Sequence, residues 1–142
     1  MNERFLLDTN IPSETVNRLP DMKVSAWLKR QVKDTLFLSA VTMGELRKGI
    51  ELLAQSARRR QLEEAIELLV PFWFAGRILP VTREVAERWG VFEARRQNMG
   101  LPLSVPDGMI AATAFEHGLT LVTRNVKDFV GLGITVLNPW ET

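Results

Sequence analysis

Cysteine is absent from this chain, and histidine occurs once, as His117. Disulfides and thiolate zinc centres are thereby excluded, as is any site that needs two imidazole ligands. His117 itself is expected near a helix C-terminus, as a structural residue. No apolar run approaches the roughly 18 residues that a bilayer-crossing helix needs. The charged start Met1-Asn2-Glu3-Arg4 leads straight into a short apolar segment, unlike a secretion signal. The expectation is a cytoplasmic protein with no membrane partner. An excess of either charge is also missing, since 18 basic residues face 17 acidic ones for a formal charge of +1. Composition therefore does not announce a nucleic-acid binder, and a polyanionic substrate would have to be held by locally placed groups. What the chain does have is apolar residues, 46% of its 142 positions. That suffices for one hydrophobic core, so a single domain over residues 1–142 is expected.

Strand-like and helix-like segments alternate along the chain. Phe5-Leu6-Leu7 reads as a short buried strand and residues 12–20 as a loop with one helical turn. Val24, Trp27, Leu28 and Val32 recur at helical spacing, and Leu36-Phe37-Leu38-Ser39 is a second strand. Met43, Leu46, Ile50 and Leu53 mark the next helix; Thr42 followed three residues later by Glu45 fits a capping box, which places Glu45 in its first turn. Arg58-Arg59-Arg60, read as solvated surface, opens a helix through Leu62, Ile66 and Leu69 that Pro71 is expected to end. Residues 78–81 form a third strand, and residues 83–97 an amphipathic helix with Val85, Trp89 and Phe92 on one side and solvated Arg95 and Arg96. Asp107 is placed to cap a helix over residues 109–116, which His117-Gly118 closes. Residues 119–123 and 135–137 are the last strands. This alternation predicts a three-layer α/β domain with a mostly parallel sheet.

Four acids stand at strand ends or helix starts: Asp8, Glu45, Asp107 and Asp128. In an open α/β sheet the loops beyond the carboxyl ends of parallel strands converge on one crevice, so acids distant in sequence can share a pocket. Carboxylates gathered in a partly desolvated cleft repel, and a divalent cation that prefers oxygen ligands relieves that repulsion. Mg²⁺ is the natural occupant, with Mn²⁺ able to substitute. Taken singly, each acid is as well explained by a turn or a helix cap. That three of the four lie at the same topological end of the predicted sheet is what points to a site.

Five segments carry a resemblance: Leu6-Leu7-Asp8-Thr9-Asn10; residues 39–49, Ser-Ala-Val-Thr-Met-Gly-Glu-Leu-Arg-Lys-Gly; Asp107-Gly108-Met109-Ile110-Ala111-Ala112-Thr113-Ala114; Thr123-Arg124-Asn125; and Asn138-Pro139-Trp140. In order and spacing they resemble the PIN-domain ribonuclease toxins of the VapC and FitB type, over nearly the whole chain. The resemblance implies a five-stranded, mostly parallel sheet flanked by helices. It also implies a Mg²⁺-dependent endoribonuclease toxin that leaves a 5′-phosphate and a 3′-hydroxyl. Such toxins form homodimers, are neutralised by a cognate antitoxin, and meet DNA only through that antitoxin. The family acids fall on Asp8, Glu45 and Asp107, the expected metal ligands. FitB-like members carry an aspartate where this chain has Asn125, whereas many VapC-like members share the asparagine and place an acid three residues on, here Asp128. Asn125 and Asp128 are assigned jointly to the site, with Asn125 expected nearer the metal.

Around these acids, Thr9 and Thr123 are candidates to hydrogen-bond a carboxylate or a phosphate, and Ser39 lies at a strand end nearby. Arg47, Lys48 and Arg124 adjoin the motifs and could position an RNA backbone. Trp27 and Trp89 read as core, while Phe72-Trp73-Phe74 is dense enough in aromatics to suggest an interface. The competing reading is a catalytically idle PIN module that pairs with an antitoxin in a DNA-bound repressor complex.

Overall fold

A computed structural model describes residues 3–142. Met1 and Asn2, half of the charged start read above, lie outside the described residues. Five strands form one parallel sheet in the order β3-β2-β1-β4-β5, with β1 at Phe5–Leu7, β2 at Leu36–Ser39, β3 at Ile78–Leu79, β4 at Thr120–Val122 and β5 at Val136–Leu137. Each neighbouring pair is parallel; Phe5 sits opposite Leu36 on one side and opposite Thr120 on the other. The chain builds outward from β1 to β3 and then crosses back to β4. The order therefore reverses between β1 and β4, and a crevice opens at that point beyond the carboxyl ends of the strands.

The central strands are short and apolar because both of their faces are covered. Leu6 and Leu121 join one core with Val85, Phe92, Ile110 and Leu132. Their neighbours Phe5, Leu7 and Val122 point the other way, into a second core with Ile11, Trp27, Leu36, Leu38 and Phe74. Trp27 lies edge-on to Phe5, with ring centroids 4.9 Å apart. The expected core roles of Trp27 and Trp89 hold: the first is buried, and the second is half-buried against the first core.

The helices are α1 (Asn10–Thr15), α2 (Met22–Arg30), α3 (Ala40–Glu51), α4 (Ala57–Glu64), α5 (Val70–Trp73), α6 (Arg83–Asn98) and α7 (Val105–His117). Several depart from the periodicity reading, each for a local reason. The helical turn expected within residues 12–20 is a short helix that begins two residues earlier, at Asn10, since Pro12 falls in a first turn where its missing N–H costs nothing. Ser39, not Thr42, caps α3 by accepting from the Val41 N–H, so α3 starts earlier and Glu45 stands in its second turn. Ser104 likewise caps α7 through the Asp107 N–H, and Pro106 lies inside the first turn instead of ending extended chain. Pro71 does not end its helix. A π-helical turn over Ala65–Leu69, in which the Val70 N–H reaches the Ala65 carbonyl, joins α4 to α5 across the proline. Gly118 closes α7 as expected, in the left-handed conformation with φ of 63°.

Arg77, unremarked in the sequence, is buried. Its guanidinium donates to the carbonyls of Lys33, Leu36 and Trp73, tying the entry of β2 to the end of α5. Among the described residues, no helix is long and apolar enough to cross a membrane.

Candidate active site

Asp8 follows directly on β1, and its backbone N–H still donates to the Val122 carbonyl at 2.9 Å, so the β1–β4 ladder sets where its side chain stands. The carboxylate is almost fully buried. The Thr9 N–H donates to its Oδ1 at 2.7 Å and the Thr123 hydroxyl to its Oδ2 at 2.8 Å. These bonds favour the charged form, but burial outweighs them; with the nearby charges of Asp107 and Glu45 it pushes the Asp8 carboxyl up to about 6. Thr123 is a junction, because its oxygen also accepts from Asn10 Nδ2 at 3.2 Å and from the Asn125 N–H at 3.1 Å.

Glu45 reaches the same end of the sheet from α3. Thr9 Oγ1 lies 2.5 Å from Glu45 Oε1 and 3.1 Å from Thr42 Oγ1. A threonine hydroxyl carries one proton; with that of Thr9 given to the carboxylate, Thr42 donates in turn. Thr9 thus touches Asp8 through its backbone and Glu45 through its side chain. Asp107 arrives in the first turn of α7, where helix polarity favours a negative charge. Burial raises its carboxyl above the usual range, and the charge of Asp128 raises it further.

Asp128 lies in a 3-10 turn, Val126–Phe129, just past β4. Its N–H donates to the Asn125 carbonyl at 3.0 Å. Asn125 is exposed and enters the network through its backbone. The acids from distant segments lie near enough to act on one another by charge, Glu45 and Asp107 on Asp8, and Asp128 on Asp107.

The supporting residues separate clearly. Thr9 and Thr123 hydrogen-bond acids, as read from the sequence, while Ser39 is a helix cap. Arg47 is engaged 3.0 Å from Glu67 in an exposed ion pair, and the Arg124 guanidinium sits 5.2 Å above the Trp140 ring. Arg59 bridges Glu51 and Glu63, and Arg96 is buried; neither is the solvated residue expected. Sequence reasoning missed Asn10 and misplaced Thr42. The only signal for either was its place, two residues after Asp8 and one turn before Glu45 on α3.

A hard divalent cation fits this donor set. All the candidate donors are oxygen, and Asp8 carries a desolvation penalty that its hydrogen bonds only partly offset, beside two other acids. Asn10 Oδ1 adds a buried oxygen without a hydrogen-bond partner. Among the described residues, however, no three acidic side chains close around one point as a ready cage. The match is to an ion that keeps several of its waters, as Mg²⁺ does.

Comparison with known proteins agrees with this architecture. The family model described as PIN domain matches residues 5–130. Toxin FitB of Neisseria gonorrhoeae is 38% identical over 137 residues, covering 96% of this chain and 99% of its own. A VapC ribonuclease of Sinorhizobium fredii is 37% identical, covering 96% of this chain and 98% of its own. Among solved structures, FitAB bound to a DNA fragment superimposes with a TM-score of 0.90 at 37% identity, over 96% of this chain and 95% of that one. The chain belongs to the PIN-domain family, in its VapC and FitB toxin group.

Proposed function

We propose that this protein is a metal-dependent endoribonuclease toxin, and that residues 1–142 act as one domain in the cytoplasm. The observation that carries the reading is the Asp8 carboxylate, buried at the switch point of the sheet within the electrostatic reach of Glu45 and Asp107. Such an arrangement is costly to the free protein and becomes favourable once a cation shares the charge. Asp8, Glu45 and Asp107 would hold Mg²⁺, directly or through its waters, with Mn²⁺ able to replace it. Bound there, Mg²⁺ would supply Lewis acidity, lowering the pKa of water and offsetting charge on a leaving oxygen.

The chain's own groups do the rest. Thr123 and the Thr9 N–H keep both Asp8 oxygens oriented, and the Thr9 hydroxyl, steadied by Thr42, does the same for Glu45. Asp128 supplies a fourth carboxylate beside Asp107, while Asn125 braces Thr123 through its N–H. Arg124, held over Trp140, and the exposed Lys48 would meet the RNA backbone, joined by Arg47 once Glu67 releases it. The products would be a 5′-phosphate and a 3′-hydroxyl.

Similarity to Toxin FitB, and to FitAB bound to a DNA fragment, supports a toxin that works with a partner on DNA; neutralisation by a cognate antitoxin, contact with DNA only through that antitoxin, and a homodimer complete the reading. Phe72, mostly exposed beside Trp73, is a candidate for such contacts. The test is cleavage of single-stranded RNA by purified, antitoxin-free protein, with and without chelator, beside Asp8→Asn. Metal-dependent cleavage absent from the variant is expected; no cleavage by the wild type above that of the variant, with or without metal, would leave the idle antitoxin-binding module as the better account.

A further inference from the structure

Arg96, in the last turn of α6, is 5% exposed and makes no ion pair among the described residues. Its guanidinium is spent on main-chain carbonyls of two separate segments. Nε donates to the Leu101 carbonyl at 2.7 Å, and Nη1 donates to those of Asp128 at 2.6 Å and Val130 at 3.2 Å. Leu101 is gripped from both sides, since its own N–H returns to the Arg96 carbonyl at 2.9 Å. From Leu101 the chain runs to Ser104, which caps α7 and orients Asp107. From Asp128 it runs back through Asn125 to Thr123 and so to Asp8.

We propose that Arg96 is a positioning residue of the acidic site, its guanidinium locking the loop that leads into Asp107 against the turn that carries Asp128 and so setting the spacing of those two carboxylates. The inference rests on the function proposed above for these acids. Leu103 and Phe129 anchor each segment to the core separately, but neither ties one segment to the other's backbone. Arg95 donates to the Gly131 carbonyl at 3.2 Å and Met99 packs against Gly131, but both links lie beyond the turn that carries Asp128, so the repulsion between the two acids bears on the stretch that Arg96 holds. The planar guanidinium reaches Leu101 with Nε while Nη1 serves Asp128 and Val130, whereas the three donors of a lysine ammonium all radiate from one nitrogen and cannot reproduce that separation. Arginine is thus required by the geometry, not merely by the charge.

The test uses the full chain, free of metal, as Arg96→Lys and Arg96→Met. Hydrogen exchange is followed in peptides covering residues 99–104 and 126–130, and Mn²⁺ affinity is measured by calorimetry. Both segments should lose protection together while β1 and β2 keep theirs, and Mn²⁺ affinity should fall about 10- to 100-fold, as for other groups that orient metal ligands. Unchanged exchange, loss in one segment alone, or Mn²⁺ affinity within about twofold of wild type in a folded variant overturns the clamp. If Arg96→Met does not fold, Arg96→Lys decides by the same criteria. A wild-type protein that neither binds Mn²⁺ nor cleaves RNA removes the proposed function, and paired loss of exchange protection then decides the clamp by itself.

Discussion

Replacing Asp8 by asparagine should stabilise the metal-free protein at neutral pH and destabilise it in acid. In the native state the Asp8 carboxyl titrates near 6, against 3.8 for the exposed group, chiefly because burial penalises its charge. Between those values the native state holds a proton that the unfolded chain has released, so stability falls as pH rises through the interval. Above pH 6 the loss is complete, and a shift of this size corresponds to about 3 kcal/mol. Asparagine removes the charge but not without cost. Its Oδ1 can still accept from the Thr9 N–H, yet its Nδ2 would face the Thr123 oxygen, which already accepts from Asn10 and Asn125. One hydrogen bond is lost there, costing about 1–2 kcal/mol. The net gain at pH 7.5 is then about 1–2 kcal/mol, or roughly 3–6 °C in unfolding temperature for a chain of this length. Below pH 3.8 both forms of Asp8 are neutral and only the lost hydrogen bond remains, so the variant should melt below the wild type. Calorimetric scans from pH 3.5 to 8 in chelator give the whole curve. A variant less stable at every pH, or a difference that does not change with pH, would refute the burial argument.

Three further outcomes follow from the same geometry. Mg²⁺ or Mn²⁺ should restore cleavage lost to chelator and raise the unfolding temperature, because a ligand bound only by the native state stabilises it; Zn²⁺ should substitute poorly at all-oxygen donors, and full activity in excess chelator would defeat the metal mechanism. Because Asp128 acts on Asp107 by charge while Asn125 engages by backbone, Asp128→Ala should reduce cleavage and metal affinity more than Asn125→Ala; assays of both against Asn125→Asp check this, and equal indifference would confine the site to Asp8, Glu45 and Asp107. Gly108→Ala would bring a methyl within 2.5 Å of the Trp89 side chain. Denaturant unfolding should show a loss of about 1–3 kcal/mol from overpacking beside Asp107, and a stability equal to wild type would show that Trp89 yields freely.

The sequence by itself determined the sheet and the family. Residues such as Leu6 and Leu121, in short apolar runs punctuated by polar segments, admit little but strands covered on both faces, and the motifs around Asp8, Glu45 and Asp107 mark the family that the comparisons identify. Periodicity is local, and so it located elements well and their ends poorly. Whether Ser39 or Thr42 caps α3 depends on which hydroxyl meets a free N–H once the strand before it is pinned in register. Tertiary structure alone decided the rest. It drew Thr42 from a supposed cap into contact with Thr9, turned Pro71 from a stop into part of a continuing helix, and buried Arg77 and Arg96 against carbonyls from remote segments. Nothing in an arginine's sequence neighbours tells whether its donors will meet water or three carbonyls, because those partners are assembled only when distant loops close over the same end of the sheet.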